Sequence, residues 1–321
     1  MNKHVKRNMY FRILLFMLGV LAISFLSLFV FVMPKLREIS QGAGFAVEWD
    51  ESDGTIHEDL SYGSGSKNQY DLYVPAGEEQ KEKHCAILFL ADNTEGEGTR
   101  EGMAPYCKRY AKEGYMTAVM EYSVMDIQDS KVTFYTMLDE IGLCIRQLKE
   151  DTEEMGCPVE KVALSGVSGG GHLALLFAYS RADDSALPIT FVFEETALTD
   201  FHSSTLGIED TETASLLRKA TGGSVTVTQV ENGEAEDMIS SISPVAWISG
   251  DTVPTLFAYG AKDESVSLTN AELLEKSLKE NSVPYKYIEF PNSNHGMYDD
   301  GDCREAFQEA VLTFCRTYFG Y

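Results

Sequence analysis

The amino-acid sequence predicts an α/β fold, in which a mostly parallel central sheet carries helices on both faces, preceded by one N-terminal transmembrane helix. Three observations lead to this prediction. Short apolar runs alternate with longer runs of helical periodicity along residues 58–321, as is typical of parallel strands joined by crossover helices. One short run leads through a glycine-rich turn into a helical run near residue 168. A long uncharged segment near the N-terminus predicts the transmembrane helix.

The transmembrane helix is predicted at residues 13–33, which contain no charged side chain. A helix of this length spans about 31 Å, enough to cross a hydrocarbon core of about 30 Å. Cleavage near residues 42–43, as in a secretory signal peptide, stays open as an alternative and would release a secreted protein.

Basic residues flank the apolar segment unequally. Four precede it and two follow it closely, namely Lys3, Lys6, Arg7, Arg12, Lys35 and Arg37. This asymmetry predicts a single-pass protein of the cell membrane, with residues 1–12 in the cytoplasm and the remainder extracytoplasmic. Residues 34–57 would form a tether to a catalytic domain at 58–321.

The net charge of the chain is −24, and the charge is divided unevenly. Residues 1–37 contain six of the 26 basic residues and no acidic residue, so residues 38–321 carry 20 basic and 50 acidic side chains. A surface of this sign repels phosphate backbones, so nucleic acid is not an expected partner. It favours neutral or cationic ligands, although surplus carboxylates also serve solubility alone.

The six cysteines do not resemble a disulfide framework. Cys303 and Cys315 bracket one predicted helix, which would hold them about 18 Å apart, too far to pair. The sequence has no Cys-x-x-Cys and no His/Cys cluster with zinc spacing. We therefore expect buried thiols and no metal site.

The periodicity of the sequence predicts eight strands and five helices in the catalytic domain. The strands are expected at 59–62, 69–74, 85–91, 116–121, 160–165, 189–193, 254–260 and 285–290. The helices are expected at 101–112, 132–154, 170–181, 268–281 and 302–317. Residues 195–250, between the sixth and seventh strands, form a long insertion with one helical run at 214–220, and are expected to cap the site.

The turn after the fifth strand reads Gly166-Val167-Ser168-Gly169-Gly170. A serine exposed at a sharp strand-to-helix turn needs small neighbours because the backbone there is crowded and strained. The pattern predicts Ser168 as a nucleophile, with the N–H of Gly169 donating to an oxyanion. Phosphate-binding loops also join strands to helices through glycines, but neither Gly-x-Gly-x-x-Gly nor Gly-Lys-Ser/Thr is present here.

An acid and a histidine follow Ser168 in the order that such a nucleophile requires. Asp263 lies three residues beyond the seventh strand, and His295 follows the eighth. These positions predict Asp263 as the orienting acid and His295 as the general base. Asp200, one strand earlier, is the alternative acid. His172 lies one helical turn after Ser168 and is expected to be buried beneath the turn.

These motifs resemble those of the α/β-hydrolases of the esterase/lipase kind, in particular the bacterial acetylxylan- and feruloyl-esterase-like carboxylesterases. The resemblance covers most of residues 58–321, with landmarks at 70–75, 166–172, 242–244, 260–266 and 294–296. It implies catalytic roles for Ser168, Asp263 and His295. Many relatives place His-Gly-Gly-Gly after the third strand, where this chain has Ala91-Asp92-Asn93-Thr94. The second oxyanion donor would then be a backbone N–H near Asp92 or Asn93, or the Asn93 side chain.

The sequence therefore predicts a serine carboxylesterase that needs no cofactor and acts through an acyl-enzyme. The insertion at 195–250 has few large apolar residues, which favours short-chain esters, with acyl-decorated carbohydrates among the candidates. A prolyl-oligopeptidase-like serine peptidase shares the fold and residue order and is one alternative. A membrane-anchored binding protein that has lost its chemistry is another, because of the altered loop at Asp92. The expected partners are the ester and the membrane, and the oligomeric state stays open.

Overall fold

The computed structural model describes residues 47–77, 84–91, 99–125 and 132–320. The predicted transmembrane helix at 13–33 lies outside this part of the chain, as do Asp92 and Asn93. Among the described residues, no helix combines the length and the apolar character needed to cross a membrane.

The described residues form one eight-stranded sheet. Its strands are β1 (Gly54–Ser61), β2 (Gln69–Pro75), β3 (Cys85–Leu90), β4 (Met116–Met120), β5 (Lys161–Val167), β6 (Ile189–Glu195), β7 (Thr255–Gly260) and β8 (Tyr285–Phe290). Their order is β1-β2-β4-β3-β5-β6-β7-β8, and only the pairs β1–β2 and β2–β4 are antiparallel. The predicted mostly parallel sheet is therefore confirmed.

Helices cover both faces of the sheet. Within the described residues they are α1 (Arg100–Lys112), α2 (Phe134–Glu154), α3 (Gly169–Ser180), α4 (Ser203–Leu206), α5 (Asp210–Thr221), α6 (Val227–Glu231), α7 (Glu236–Ile242), α8 (Thr269–Glu280) and α9 (Gly301–Phe319). Successive residues of β3 face opposite cores, because Leu88 packs with α2 and α3 while Phe89 packs with α1 and α9. The central strands are thus buried on both sides, which explains their nearly unbroken apolar sequence.

The first strand begins earlier than the sequence predicted. Residues 54–57, which we assigned to the tether, belong to β1, and the compact unit begins at Glu48. Trp49 packs edge-on against Tyr73 of β2 with ring centroids 6.0 Å apart. The predicted start of the first strand at residue 59 was wrong because β1 is a half-exposed edge strand, which no apolar run marks.

A partly exposed ion cluster ties the start of α1 to the edge strands. The Arg100 guanidinium contacts Asp71 of β2 and lies 2.6 Å from the carboxylate of Asp59. The Asp71 carboxylate also accepts the N–H of Asp59 at 2.9 Å, and Asp59 has a φ of 57° at a register shift in β1. The cluster therefore fixes the chain where it enters α1, directly after residues 92–98.

The insertion at 195–250 contains four α-helices, α4 to α7, where the sequence predicted one. The predicted run at 214–220 lies within α5, and the prediction of a single helix was wrong because the others have only 4, 5 and 7 residues. Apolar residues of the insertion join the core formed with α2 and α3. The contributors include Phe201, Ala214, Leu217, Ile239 and Ile242. The insertion is therefore packed onto the domain.

No disulfide links the six cysteines, all of which lie in the described part of the chain. Four are buried, namely Cys85, Cys107, Cys144 and Cys315. Burial raises the pKa of the Cys144 thiol, so it stays protonated at neutral pH.

Candidate active site

Ser168 occupies a strained turn between β5 and α3. Its φ of 54° and ψ of −120° lie in a region that residues with side chains rarely adopt. The turn is held from two sides, because the Ser168 N–H donates to the carbonyl of Glu195 at 2.8 Å and its carbonyl accepts the N–H of His172 at 2.9 Å. The side chain stands half-buried at the start of the helix.

The glycines around Ser168 allow the backbone to pack closely. A Cβ atom on Gly166 would lie 2.3 Å from the carbonyl carbon of Gly170, and a Cβ atom on Gly170 would lie 2.4 Å from the carbonyl oxygen of Leu90. No side chain fits at either position. The last residue of β3 therefore lies against the first turn of α3.

Of the three residues predicted to contribute to the oxyanion hole, the structure describes Gly169. Gly169 is the first residue of α3, where helical N–H groups have no acceptor within the helix. Its N–H therefore has no acceptor within the helix, and its role as an oxyanion donor stays a prediction. Asp92 and Asn93 fall outside the described residues, and their contribution stays a prediction.

Asp263 and His295 form a hydrogen-bonded pair. The Nδ1 atom of His295 lies 2.7 Å from Oδ2 of Asp263, and Oδ1 of Asp263 accepts the N–H groups of Ser265 and Val266 at 2.8 and 2.9 Å. The Asp263 side chain is fully buried, whereas a third of the His295 side chain is exposed. Burial alone would raise the pKa of Asp263, but the bonds from His295 and the two amides outweigh it and lower that pKa.

The loop that carries His295 is fixed to the end of β7. A Cβ atom on Gly260 would lie 2.5 Å from the carbonyl oxygen of Ser293, which also accepts the N–H of Lys262 at 2.9 Å. Asp300 holds the same loop by accepting the Ser293 hydroxyl at 2.7 Å and the N–H of Asn292 at 2.9 Å. The segment before Asp263 and the loop that carries His295 are therefore held together by direct backbone contacts.

The predicted nucleophile, acid and base all follow the carboxyl ends of parallel strands in the one sheet. Ser168 follows β5, Asp263 follows β7 and His295 follows β8. Between them, the end of β6 bonds to both neighbours, since Ser168 donates to Glu195 and Thr196 donates to Ala258 of β7. The structure pairs Asp263 with His295 and places Ser168 at the same edge. The catalytic roles themselves stay predictions.

His172 is buried beneath the turn, as the sequence predicted. Its ring contacts those of Phe134 and Phe201, with centroids 4.8 and 5.0 Å away, and its Nδ1 lies 2.9 Å from the carbonyl oxygen of Leu198. Burial lowers the pKa of His172 to about 4, so the ring is neutral at neutral pH. It packs the turn from below.

Asp200, the alternative acid, belongs to a separate cluster in the insertion. Its carboxylate lies 2.8 Å from Nδ1 of His202 and also accepts the hydroxyl of Thr205. The Nε2 atom of His202 lies 3.0 Å from the carboxylate of Glu236 at the start of α7. This histidine therefore bridges two carboxylates and links the segment before α4 to α7.

We expect the His202 bridge to stabilise the protein only on the acid side of neutrality. Burial lowers the pKa of His202, but its bonds to Glu236 and Asp200 outweigh this and raise the pKa above its ordinary value of 6.5. A raised pKa gives stability that is fully present below pH 6.5 and is lost as the pH rises through the folded value. The thermal midpoint of His202→Gln should thus fall below that of the native chain at about pH 5.5 and approach it at about pH 9. An equal difference at both pH values would contradict this account.

Three buried charged or acidic groups near the site were not predicted from the sequence. Glu195, the last residue of β6, lies 2.6 Å from the guanidinium of Arg304 in α9, and both are buried. Glu194 accepts the N–H of Ala197 at 2.8 Å, and burial raises its pKa well above the ordinary value, so it is a neutral acid. Two consecutive glutamates ending an apolar strand were the available signal.

Sequence comparison assigns the chain to a protein family. A model of the BD-FAE family matches residues 70–278, which run from β2 to α8 and include Ser168 and Asp263. The chain belongs to the BD-FAE family. This is an esterase family of the α/β-hydrolase fold, so the predicted resemblance is confirmed.

Two curated proteins are similar to parts of this BD-FAE chain. Esterase LipQ of Mycobacterium tuberculosis is 22% identical over 227 residues, which cover 70% of this chain and 52% of LipQ. The acylamino-acid-releasing enzyme of Arabidopsis thaliana is 35% identical over 86 residues, which cover 26% of this chain and 11% of the plant enzyme. The matches thus span about half and about a tenth of these relatives.

Among solved structures, Esterase B from Lactobacillus rhamnosis is similar over most of its length. Its inhibited form superposes with a TM-score of 0.67 at 19% identity, covering 93% of this chain and 95% of Esterase B. This likeness confirms the α/β-hydrolase fold.

Proposed function

We propose that the protein is a serine hydrolase of short-chain carboxylic esters that uses Ser168, His295 and Asp263. His295 Nε2 takes the proton of Ser168 as its Oγ attacks the ester carbonyl, while Asp263 holds the Nδ1–H of His295. The N–H of Gly169 and a donor from the loop at Asp92 and Asn93 stabilise the oxyanion. The alcohol leaves with the proton from His295, and water then attacks the acyl-enzyme to release the acid and restore Ser168.

The observation that carries this proposal is the 2.7 Å bond between His295 and the buried Asp263, at the sheet edge where Ser168 stands in a strained turn. A carboxylate that is ionised and fully shielded stabilises an imidazolium without competing for its proton. Ser168 is half-buried and directly precedes α3, so the N-terminus of this helix lies beside the place where the oxyanion forms. No step of this reaction requires a cofactor.

A preference for short acyl groups is supported by the packing of the insertion. Many apolar side chains of the insertion, including Ile239 and Ile242, are buried in the core. Few remain at the surface to cover a long acyl chain. A tributyrin phosphonate occupies one structure of Esterase B, which supports acyl groups of similar size here. Carbohydrates that carry short acyl groups fall within the same substrate class.

The test is turnover of p-nitrophenyl esters by the full-length chain, with fluorophosphonate labelling of the same sample. We expect kcat/KM to be highest near C2 to C4 and to fall beyond about C8. Rates that rise beyond C8 would contradict the short-acyl preference, and a folded sample that neither labels nor turns over any ester would contradict the proposed function. A binding protein with the same fold would then be the better account.

The similarity to the acylamino-acid-releasing enzyme supports a second candidate, cleavage of N-acylaminoacyl amides by the same residues. The two candidates differ in the leaving group, since an amine needs protonation by His295 before it can depart. Comparing an N-acetylaminoacyl p-nitroanilide with p-nitrophenyl acetate separates them. Faster amide turnover would favour the peptidase.

The location proposed for this activity is the outer face of the cell membrane. The support is the uncharged segment at 13–33 and the basic residues before it, which favour a cytoplasmic N-terminus and an extracytoplasmic hydrolase. Cleavage of the segment would give a secreted enzyme, and the mass of the mature N-terminus distinguishes the two.

A further inference from the structure

Arg304 is a buried cation beside the two loops that carry Ser168 and His295. It lies in the first turn of α9 with 8% of its surface exposed, and its guanidinium carbon is 5.0 Å from the centre of the Phe290 ring. Burial alone lowers the pKa of Arg304, but Glu195 outweighs it and raises that pKa, so the side chain is charged. A charge held in this position costs desolvation energy that its contacts must offset.

One branch of Arg304 reaches the turn that holds Ser168. Its Nη1 atom lies 2.6 Å from the carboxylate of Glu195, which is itself only 4% exposed. The backbone carbonyl of Glu195 accepts the N–H of Ser168 at 2.8 Å. Glu195 therefore contacts the strained turn through its main chain and Arg304 through its side chain.

The other branch reaches the loop of His295. The Nη2 atom of Arg304 donates to the carbonyl of Met297 at 3.3 Å, and Met297 has a φ of 57°. Its N–H donates to the carbonyl of Asn294 at 3.0 Å, which closes a turn around His295. Phe290 ends β8 immediately before this loop, so Arg304 contacts the loop at both of its ends.

We propose that Arg304 is a positioning residue, which holds the Ser168 turn and the His295 loop in a fixed relation through Glu195 and Met297. This inference rests on the proposed function, in which the two loops act on the same substrate. The bond changes of the proposed reaction involve Ser168, His295 and the substrate, and Arg304 acts on them through its contacts with Glu195 and Met297.

The chemistry of arginine suits this role. A buried ion pair adds little net stability over apolar side chains of the same volume, so its value lies in geometry. The planar guanidinium sends donors in two fixed directions, one to Glu195 and one to Met297, whereas a lysine ammonium offers a single point charge. A displacement of about 1 Å between nucleophile and base can cost about 100-fold in rate.

The test compares Arg304→Met, Arg304→Lys and the double variant Arg304→Met/Glu195→Gln with the native full-length chain. The control is Arg316→Met, an exposed arginine on the same helix. For p-nitrophenyl acetate, we expect Arg304→Met to lower kcat about 10- to 100-fold with KM changed less than about twofold. Arg304→Lys should recover part of kcat, and Arg316→Met should match the native chain.

The pH profile of kcat/KM distinguishes positioning from a loss of folded protein. In Arg304→Met, the unpaired Glu195 carboxylate favours protonated His295, so the acid limb should move to higher pH. In the double variant that charge is gone, and the acid limb should return while kcat stays low. The double variant also leaves no unpaired buried charge, so it carries the test if Arg304→Met does not fold.

Hydrogen exchange gives a readout that needs no catalysis. We expect the amides of residues 292–297 to exchange faster in Arg304→Met and in the double variant, and at the native rate in Arg316→Met. Unchanged exchange, or native kcat in folded variants, would overturn the positioning role. If the native chain turned over no ester but the variants showed the expected exchange, the proposed function would be overturned. The link that Arg304 makes between the two loops would still stand.

Discussion

Replacing Ser168 with alanine should abolish covalent labelling by a fluorophosphonate and lower kcat for p-nitrophenyl acetate about 10⁴- to 10⁶-fold. The expected loss is large because the hydroxyl is the attacking group and the half-buried turn offers no second nucleophile in its place. The oxyanion donors, including Gly169, are backbone groups that the substitution leaves intact, so a small residual rate should persist. Labelling followed by intact mass measures the adduct, and initial rates measure kcat.

Backbone strain supplies a second variant at the same position. Ser168 has a φ of 54°, which glycine adopts freely and alanine does not. Ser168→Gly should therefore be inactive like Ser168→Ala but unfold at a higher temperature than Ser168→Ala, by an amount that corresponds to about 1 kcal/mol. Ser204→Ala, at an exposed serine in α4, serves as the control and should keep full activity. Labelling that survives in Ser168→Ala would assign the nucleophile elsewhere.

The sequence predicted the parts of the fold that repeat a local pattern. The buried central strands and the long helices show clear apolar periodicity, and α2 and α8 lie within two residues of their predicted bounds. The short helices of the insertion give no such period, although Thr226 and Gln229 form a capping box that was a usable signal for α6. The start of the edge strand β1 was not predicted correctly, because this strand is covered from one side only and its residues show no apolar run.

The site could be predicted where function constrains the local sequence. The turn at Ser168 needs glycines, and the acid and histidine must follow later strands, so candidates for all three roles could be named from the sequence. Arg304 and Glu195 could not be paired from the sequence, because they lie 109 positions apart and only the packing of α9 against β6 joins them. The sequence spacing also allowed Asp200 as the acid. In the structure Asp200 bonds to His202, whereas Asp263 bonds to His295.

Replacing Asp263 with asparagine should lower kcat about 10⁴-fold while leaving the fold and KM nearly unchanged. The side-chain amide that this substitution introduces is oriented by its surroundings. In the native chain, the N–H groups of Ser265 and Val266 both donate to Oδ1 of Asp263. The oxygen of the amide must face these donors, and its NH₂ group then faces Nδ1 of His295, 2.7 Å from the replaced atom. Nδ1 becomes an acceptor, so the proton moves to Nε2, which can no longer take the proton of Ser168.

The matched control is Asp200→Asn, because Asp200 also binds a histidine through Nδ1, at 2.8 Å. That histidine is His202, which belongs to the insertion, so the variant should keep kcat within about threefold of the native value. Initial rates and circular dichroism of both variants decide the question. A large loss in Asp200→Asn with native activity in Asp263→Asn would place the catalytic acid after β6, one strand earlier than the His295 bond indicates. Comparable losses in both would mean that the acid and the insertion act together, since two independent sites would not share one effect.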